Sequence, residues 1–261
     1  MEAGPVEPAL TEVVVTYVEV GGLRTWHEVQ GEGRPVVLLH GGFAGASSWA
    51  AQAPVLARSG FRVHVPERRG HAHTPDVQGP LTYGVMADDT VGYLEQVVGG
   101  PAHLVGWSDG AVVALLVAQR RPDLADRLVL IGQYYNSSGK VTGGLDDQLR
   151  AGGDQVMRFL RAEYDQVSPD GPDHFPVVYA KMLRMLATEP ELDLGSLAAV
   201  DAPTLVLQGD RDEVTLEHGA AVAAALPQGR LAVLPGTHLL PMENPEVVNA
   251  LLLWFLSPGG G

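Results

Sequence analysis

The sequence contains no cysteine, which excludes disulfides, thiolate metal sites and a cysteine nucleophile. Basic side chains are scarce, 17 against 31 acidic ones, for a formal charge of −14. Nucleic acid and anionic membranes require a basic face, so neither is expected as a partner. Long apolar runs are also missing. Runs such as Leu251–Leu256 fall far short of the ~20 residues that cross a bilayer. The opening Met-Glu-Ala-Gly-Pro-Val-Glu-Pro lacks the basic and apolar regions of a signal peptide, so a cytoplasmic protein is expected. Apolar residues are not lacking: they make up 46% of the 261, enough for one large core.

Those apolar residues fall in short, evenly spaced blocks. Val36–Leu39, Arg62–Val65, His103–Val105, Leu128–Ile131, Thr204–Leu207 and Leu231–Leu234 are rich in Val and Leu on both faces. Strands read this way when helices cover both sides of a parallel sheet. Val13–Val20 and Thr25–Val29 flank Gly21-Gly22, the pattern of an edge hairpin. Helical stretches fall between the blocks, at Asp88–Val98, at Gly110–Arg120 and from Asn244-Pro245-Glu246, where Asn244 reads as an N-cap. The alternation predicts a doubly wound, mostly parallel α/β sheet of eight strands. Residues 133–199 break the rhythm with helical candidates at Gln148–Tyr164 and Val177–Ala187. An insertion this long predicts a helical lid after the sixth strand, on a core formed by 1–132 and 200–261. Pro258–Gly261 reads as a frayed tail.

The sharpest local signal is Gly106-Trp107-Ser108-Asp109-Gly110, which follows an apolar strand and opens a helix. G-x-S-x-G requires that context, because the serine occupies a strained turn and bulk two residues either side would strike strand and helix. The turn lifts the Ser108 hydroxyl clear of the sheet's carboxyl edge. Upstream stands His40-Gly41-Gly42, also at a strand end.

On these residues the chain resembles the α/β-hydrolase fold superfamily, and within it the lid-bearing small bacterial esterases, lactonases and cofactor-free haloperoxidases. The likeness spans nearly the whole chain. Val36–Trp49 resembles the segment that ends the family's third strand. Pro66–His71 resembles its D-x-R-G-x-G loop, with Glu67 for the first acid and Ala72 for the last glycine. Gly209–Asp212 resembles its acid loop and Gly236–His238 its histidine loop.

A serine nucleophile needs a base, and nine histidines compete for the role. His238 follows the last strand, where it can reach the edge that carries Ser108. The resemblance makes His40 structural, bracing the oxyanion loop. His71 and His73 read as loop structure, since no third metal ligand is near in sequence. Asp210 and Asp212 both follow a strand, and the resembled motif selects Asp212. The order Ser108, Asp212, His238 is then the hydrolase order. Backbone N–H groups of Asp109 and of Gly42, with Phe43 as the alternative, would form the oxyanion hole.

Ser108 in place of an elbow aspartate favours acyl transfer. The expected activity is hydrolysis of a small carboxylic ester or lactone through an acyl-enzyme. The alternatives are a cofactor-free haloperoxidase or perhydrolase with the same triad, and a binding protein that lost the chemistry. No metal or cofactor is called for. The substrate is expected to be small, apolar and uncharged, in a pocket lined by Phe43, Trp107, Tyr134 and Tyr135. Asp109 is expected to point elsewhere, and oligomeric state is not legible.

Overall fold

The computed structural model describes residues 12–260; the N-terminal stretch that bore on a leader lies outside them. Eight strands form one sheet in the order β1-β2-β4-β3-β5-β6-β7-β8 among the described residues. They are β1 Val13–Val20, β2 Leu23–Gln30, β3 Arg34–Leu39, β4 Phe61–Pro66, β5 Ala102–Trp107, β6 Ala125–Ile131, β7 Thr204–Gly209 and β8 Gly229–Leu234. β1 and β2 pair antiparallel, β2 joins β4 antiparallel, and the other pairs are parallel. The hairpin turns at Gly21 and Gly22, whose positive φ of 57° and 85° suits glycine.

The helices are α1 Ala53–Arg58, α2 Tyr83–Tyr93, α3 Asp109–Arg120, α4 Leu145–Ala151, α5 Asp154–Val167, α6 Phe175–Thr188, α7 Leu216–Ala225, α8 Leu240–Glu243 and α9 Pro245–Leu256. Alternate residues of β3 enter opposite cores. Val36 and Leu38 meet α1 and α9 on one face, while Val37 and Leu39 meet α2 and α3 on the other. All four are fully buried, each contributing about 2 kcal/mol of burial, and this double coverage is what their unbroken apolar run records.

Several local expectations are corrected. β8 is an edge strand, and Leu231 and Val233 remain 41% exposed, so its apolar run does not signal burial on both faces. α2 begins at Tyr83, capped by Thr82 Oγ1, and continues as a π-helical turn to Val98. Its buried side is Tyr83, Met86, Ala87, Thr90 and Tyr93, a face with too many polar atoms to register as an apolar stripe. Gly152 and Gly153 split the expected Gln148–Tyr164 helix into α4 and α5, with Gly152 left-handed at φ 62°. Asn244 does not cap α9 with its side chain; its Nδ2 donates to the Pro235 carbonyl. The tail is tied down as far as Gly260, whose carbonyl accepts from Arg127. α4, α5 and α6 all lie in the segment between β6 and β7.

Candidate active site

β5 ends at Trp107, and α3 starts at Asp109, so the chain reverses within one residue. Ser108 takes φ 54° and ψ −121°, a conformation that costs a non-glycine residue about 1–3 kcal/mol. The flanking glycines explain how the turn closes. A Cβ on Gly106 would stand 2.5 Å from Ala111 N. One on Gly110 would strike the Leu39 carbonyl oxygen and lie 2.6 Å from that of His40.

Ser108 Oγ lies 2.8 Å from His238 Nε2, and His238 Nδ1 lies 2.7 Å from Asp212 Oδ1. The carboxylate can only accept from Nδ1–H, so Nε2 is left to accept the serine proton. Burial, the largest influence on His238, works against its charged form. The hydrogen bond and charge of Asp212, aided by Glu213 and Asp109, outweigh it and raise the pKa. Asp210 lies apart from this pair and accepts from Gly236 N. Gly132, at φ 59°, leaves the room the pair occupies, since its Cβ would stand 2.9 Å from His238 Nδ1. Trp107 Nε1 donates to the His238 carbonyl at 2.7 Å, tying the elbow to the histidine loop.

The loop after β3 faces the elbow. Gly42 is there because a Cβ would collide with Asp109 Oδ2, and Phe43 follows at φ 59°. Among the described residues, the Gly42, Phe43 and Asp109 amides donate to no backbone acceptor. Arg68 braces this loop from behind, donating to the carbonyls of His40 and Gly41. Burial draws its pKa down to about 10, so it stays charged at neutral pH. His40 Nδ1–H donates to the Gly41 carbonyl and Nε2 accepts from Arg68 N, while burial holds the ring well below its usual pKa.

A cavity of about 610 Å³ opens over Ser108 and His238. Gly42, Phe43, Trp107, Asp109 and Tyr134 line its floor, and α4 and α5 supply Leu149, Val156 and Phe159. Tyr135 is not among the lining residues: its ring stacks on His218 at 4.0 Å, and its N–H donates to His218 Nε2. Asp109 does not point elsewhere, as expected from its place one residue late; it is 3% exposed and lines the cavity. Its Oδ1 accepts from Tyr83 at 2.6 Å and from Tyr134 at 3.2 Å. Burial, with the charge of Asp109, raises both phenols well above 10 and keeps them protonated.

Sequence reasoning passed over Tyr83 and Arg68 in this network, and Lys140, Asp146 and Glu213 on the cavity wall. Arg68 carried one available signal: it stands beside the loop motif's own arginine, Arg69, which pairs with Asp89. Among the described residues no group of three His, Asp or Glu side chains is placed to hold a metal, and no helix is long and apolar enough to cross a membrane.

Residues 36–251 match the model of the Alpha/beta hydrolase family. A Mycobacterium tuberculosis protein named as a candidate non-heme bromoperoxidase, BpoC, is 29% identical over 254 residues, covering 88% of this chain and 97% of its own. Human serine hydrolase BPHL is 26% identical over 269 residues, covering 97% and 90% respectively. A solved serine hydrolase involved in carbazole degradation superposes with a TM-score of 0.78 at 24% identity, over 94% of this chain and 99% of that one.

Proposed function

The chain belongs to the alpha/beta hydrolase family, and from that premise we propose that it is a cytoplasmic serine hydrolase cleaving a small carboxylic ester or lactone. The observation that carries the reading is the Ser108–His238–Asp212 chain of hydrogen bonds at 2.8 and 2.7 Å, beside a cavity of about 610 Å³. His238 Nε2 takes the Ser108 proton as Oγ attacks the carbonyl carbon. The N–H groups of Asp109 and Gly42 hold the oxygen that becomes negative, each donor contributing about 3 kcal/mol. His238 then gives its proton to the departing alcohol. Water, deprotonated by His238, attacks the acyl-enzyme; the acid leaves and Ser108 regains its proton. Residues 133–199 act as the lid that roofs the cavity and selects the acyl and alcohol parts.

p-Nitrophenyl esters and lactones of graded acyl length test the reading on the intact protein and on Ser108→Ala. Turnover that falls at least about 10³-fold in the variant is expected. Equal turnover by both proteins contradicts the reading. The BpoC relative supports a second reading, peroxide-dependent perhydrolysis on the same triad. Bromination that depends on both peroxide and acetate distinguishes it.

A further inference from the structure

Glu213 directly follows the triad acid, yet its carboxylate is bonded to the segment between β6 and β7. Glu213 Oε2 accepts from the N–H of Leu145, the first residue of α4, at 2.9 Å. The main chain makes the same join. Val141 N–H donates to the Glu213 carbonyl at 2.9 Å, and Thr215 N–H donates to the Gly139 carbonyl at 2.9 Å. The two stretches meet there as an antiparallel bridge between Lys140 and Val214. Gly144, which is buried, leaves the room for this contact, since a Cβ there would collide with Glu213 Oε2. On the other side of Glu213 lies the triad. Asp212 Oδ1, the partner of His238 Nδ1, also accepts from Val214 N–H at 3.2 Å. The residue that holds α4 is therefore set between the triad acid and the amide that steadies it.

α4 has little of its own to hold it. Its seven residues bury one side chain, Leu149, and so short a helix does not stand alone in water. Gly143 at φ 75° and Gly152 at φ 62° leave the chain pliable on either side. Two further ties are the Lys140–Asp146 ion pair at 2.7 Å and the Tyr179 hydroxyl on the Leu149 carbonyl. Even so, Leu145, Gln148 and Leu149 form part of the wall of the cavity that holds Ser108. A wall this loosely built stays in register with the nucleophile only if something outside α4 fixes it.

Resting on the serine-hydrolase reading, we infer that Glu213 is a positioning residue for substrate selection: its carboxylate docks α4 on the acid loop, and that docking shapes the part of the cavity that longer ester groups occupy. A short ester reaches Ser108 without touching α4, whereas a long one packs on it. Hydrogen bonds to a charged acceptor are among the stronger ones. A wall docked for only part of the time binds a long ester in proportion to the docked fraction.

Glu213→Gln and Glu213→Ala separate the hydrogen bond from the charge. Both remove the charge that favours protonated His238, but glutamine keeps a carbonyl oxygen for Leu145 N–H and alanine keeps no acceptor. The esters are p-nitrophenyl acetate, p-nitrophenyl octanoate, extended on the acyl side, and octyl acetate, extended on the alcohol side. The two variants are expected to match on p-nitrophenyl acetate. On at least one longer ester, KM should be about 10-fold higher in Glu213→Ala than in Glu213→Gln, with kcat within about 3-fold. Gly144→Ala, which keeps the charge and fills the space of Oε2, should raise KM on the same ester. Matching KM values on both longer esters, or an equal rise on the acetate, overturn the inference, as does a Gly144→Ala protein with unaltered KM.

Amide hydrogen exchange supplies a readout independent of turnover. Residues 140–153 should exchange at least about 10-fold faster in Glu213→Ala than in Glu213→Gln, with β3 and β5 equally protected in both. Equal exchange overturns the docking role. If no ester turns over but exchange differs as expected, the docking of α4 stands and the hydrolase reading fails. Turnover that does not distinguish the variants keeps the hydrolase reading and removes the role of Glu213.

Discussion

Asp212→Asn separates the opposing influences on His238. In the folded protein burial pushes the imidazole toward its neutral form, and Asp212 more than reverses that push. With the carboxylate gone, burial dominates, and the pKa drops below its ordinary 6.5. An amide at this position also offers N–H to Nδ1, moving the ring proton to Nε2, where it cannot accept from Ser108. The intact pair is 2.7 Å apart, with side chains only 8% and 1% exposed, so solvent cannot substitute for it. The expected loss in kcat/KM is about 10³- to 10⁴-fold, or ~4–5.5 kcal/mol at 1.36 kcal/mol per tenfold. The assay is a pH–rate profile of p-nitrophenyl ester hydrolysis from pH 5 to 9. The unaltered protein should lose activity below an acid limb above 6.5, because protonated His238 is no base. In Asp212→Asn the limb should move below 6.5 while the plateau falls. Glu213→Gln should lower the limb slightly and cost less than about 10-fold, since Glu213 acts on His238 through space alone. An acid limb that stays put in Asp212→Asn, or a loss under 10-fold, refutes the assignment of this acid.

Other consequences follow from the same contacts. Gly110→Ala drives a methyl group into the Leu39 carbonyl and should lower stability by about 3 kcal/mol in urea denaturation, whereas an unchanged midpoint contradicts the close approach of β3 and α3. Trp107→Phe leaves the His238 carbonyl without its donor and should reduce kcat/KM about 10-fold with a smaller change in KM; an unchanged kcat shows that the histidine loop holds itself. Burial holds His64, His103 and His218 to about 4, His71 to about 3 and His40 well below 6.5. The unfolded chain takes up these protons first, so stability is full above about pH 6.5 and falls as pH drops toward 4, each site contributing up to ~1.4 kcal/mol per pH unit. His73 and His238, raised instead, oppose this trend but are outnumbered. The urea midpoint should therefore be clearly lower at pH 5 than at pH 7.5, and equal midpoints contradict the neutral burial of these rings.

The sheet was legible because its strands are covered on both faces, and double coverage writes itself as an apolar run. β8 shows where that signal misleads: an edge strand with the same composition leaves Leu231 and Val233 half open. The elbow was legible because backbone collisions demand glycine at 106 and 110, and such demands are local. Ser108 and His238 each sit just past a strand, so strand order placed them on one edge; it left Asp210 and Asp212 both open, and the resemblance to the acid loop was needed to choose Asp212. Tyr83 and Arg68 were not legible, because their partners come from loops and helices far along the chain. Asp109 was misjudged for a related reason. Its position in the turn is visible in sequence, but its direction is set by two tyrosines, 26 and 25 residues away. Within residues 133–199, helical character was legible but not the break at Gly152, and of the two tyrosines named for the pocket Tyr134 lines it while Tyr135 spends its ring on His218.

The central claim is that Ser108 is an activated nucleophile. Intact-mass analysis after exposure to a fluorophosphonate measures this directly. The account predicts one adduct per chain, mapped to the peptide holding Ser108, absent in Ser108→Ala and strongly slowed in His238→Ala. An unlabelled intact protein, or an adduct that survives Ser108→Ala, contradicts it.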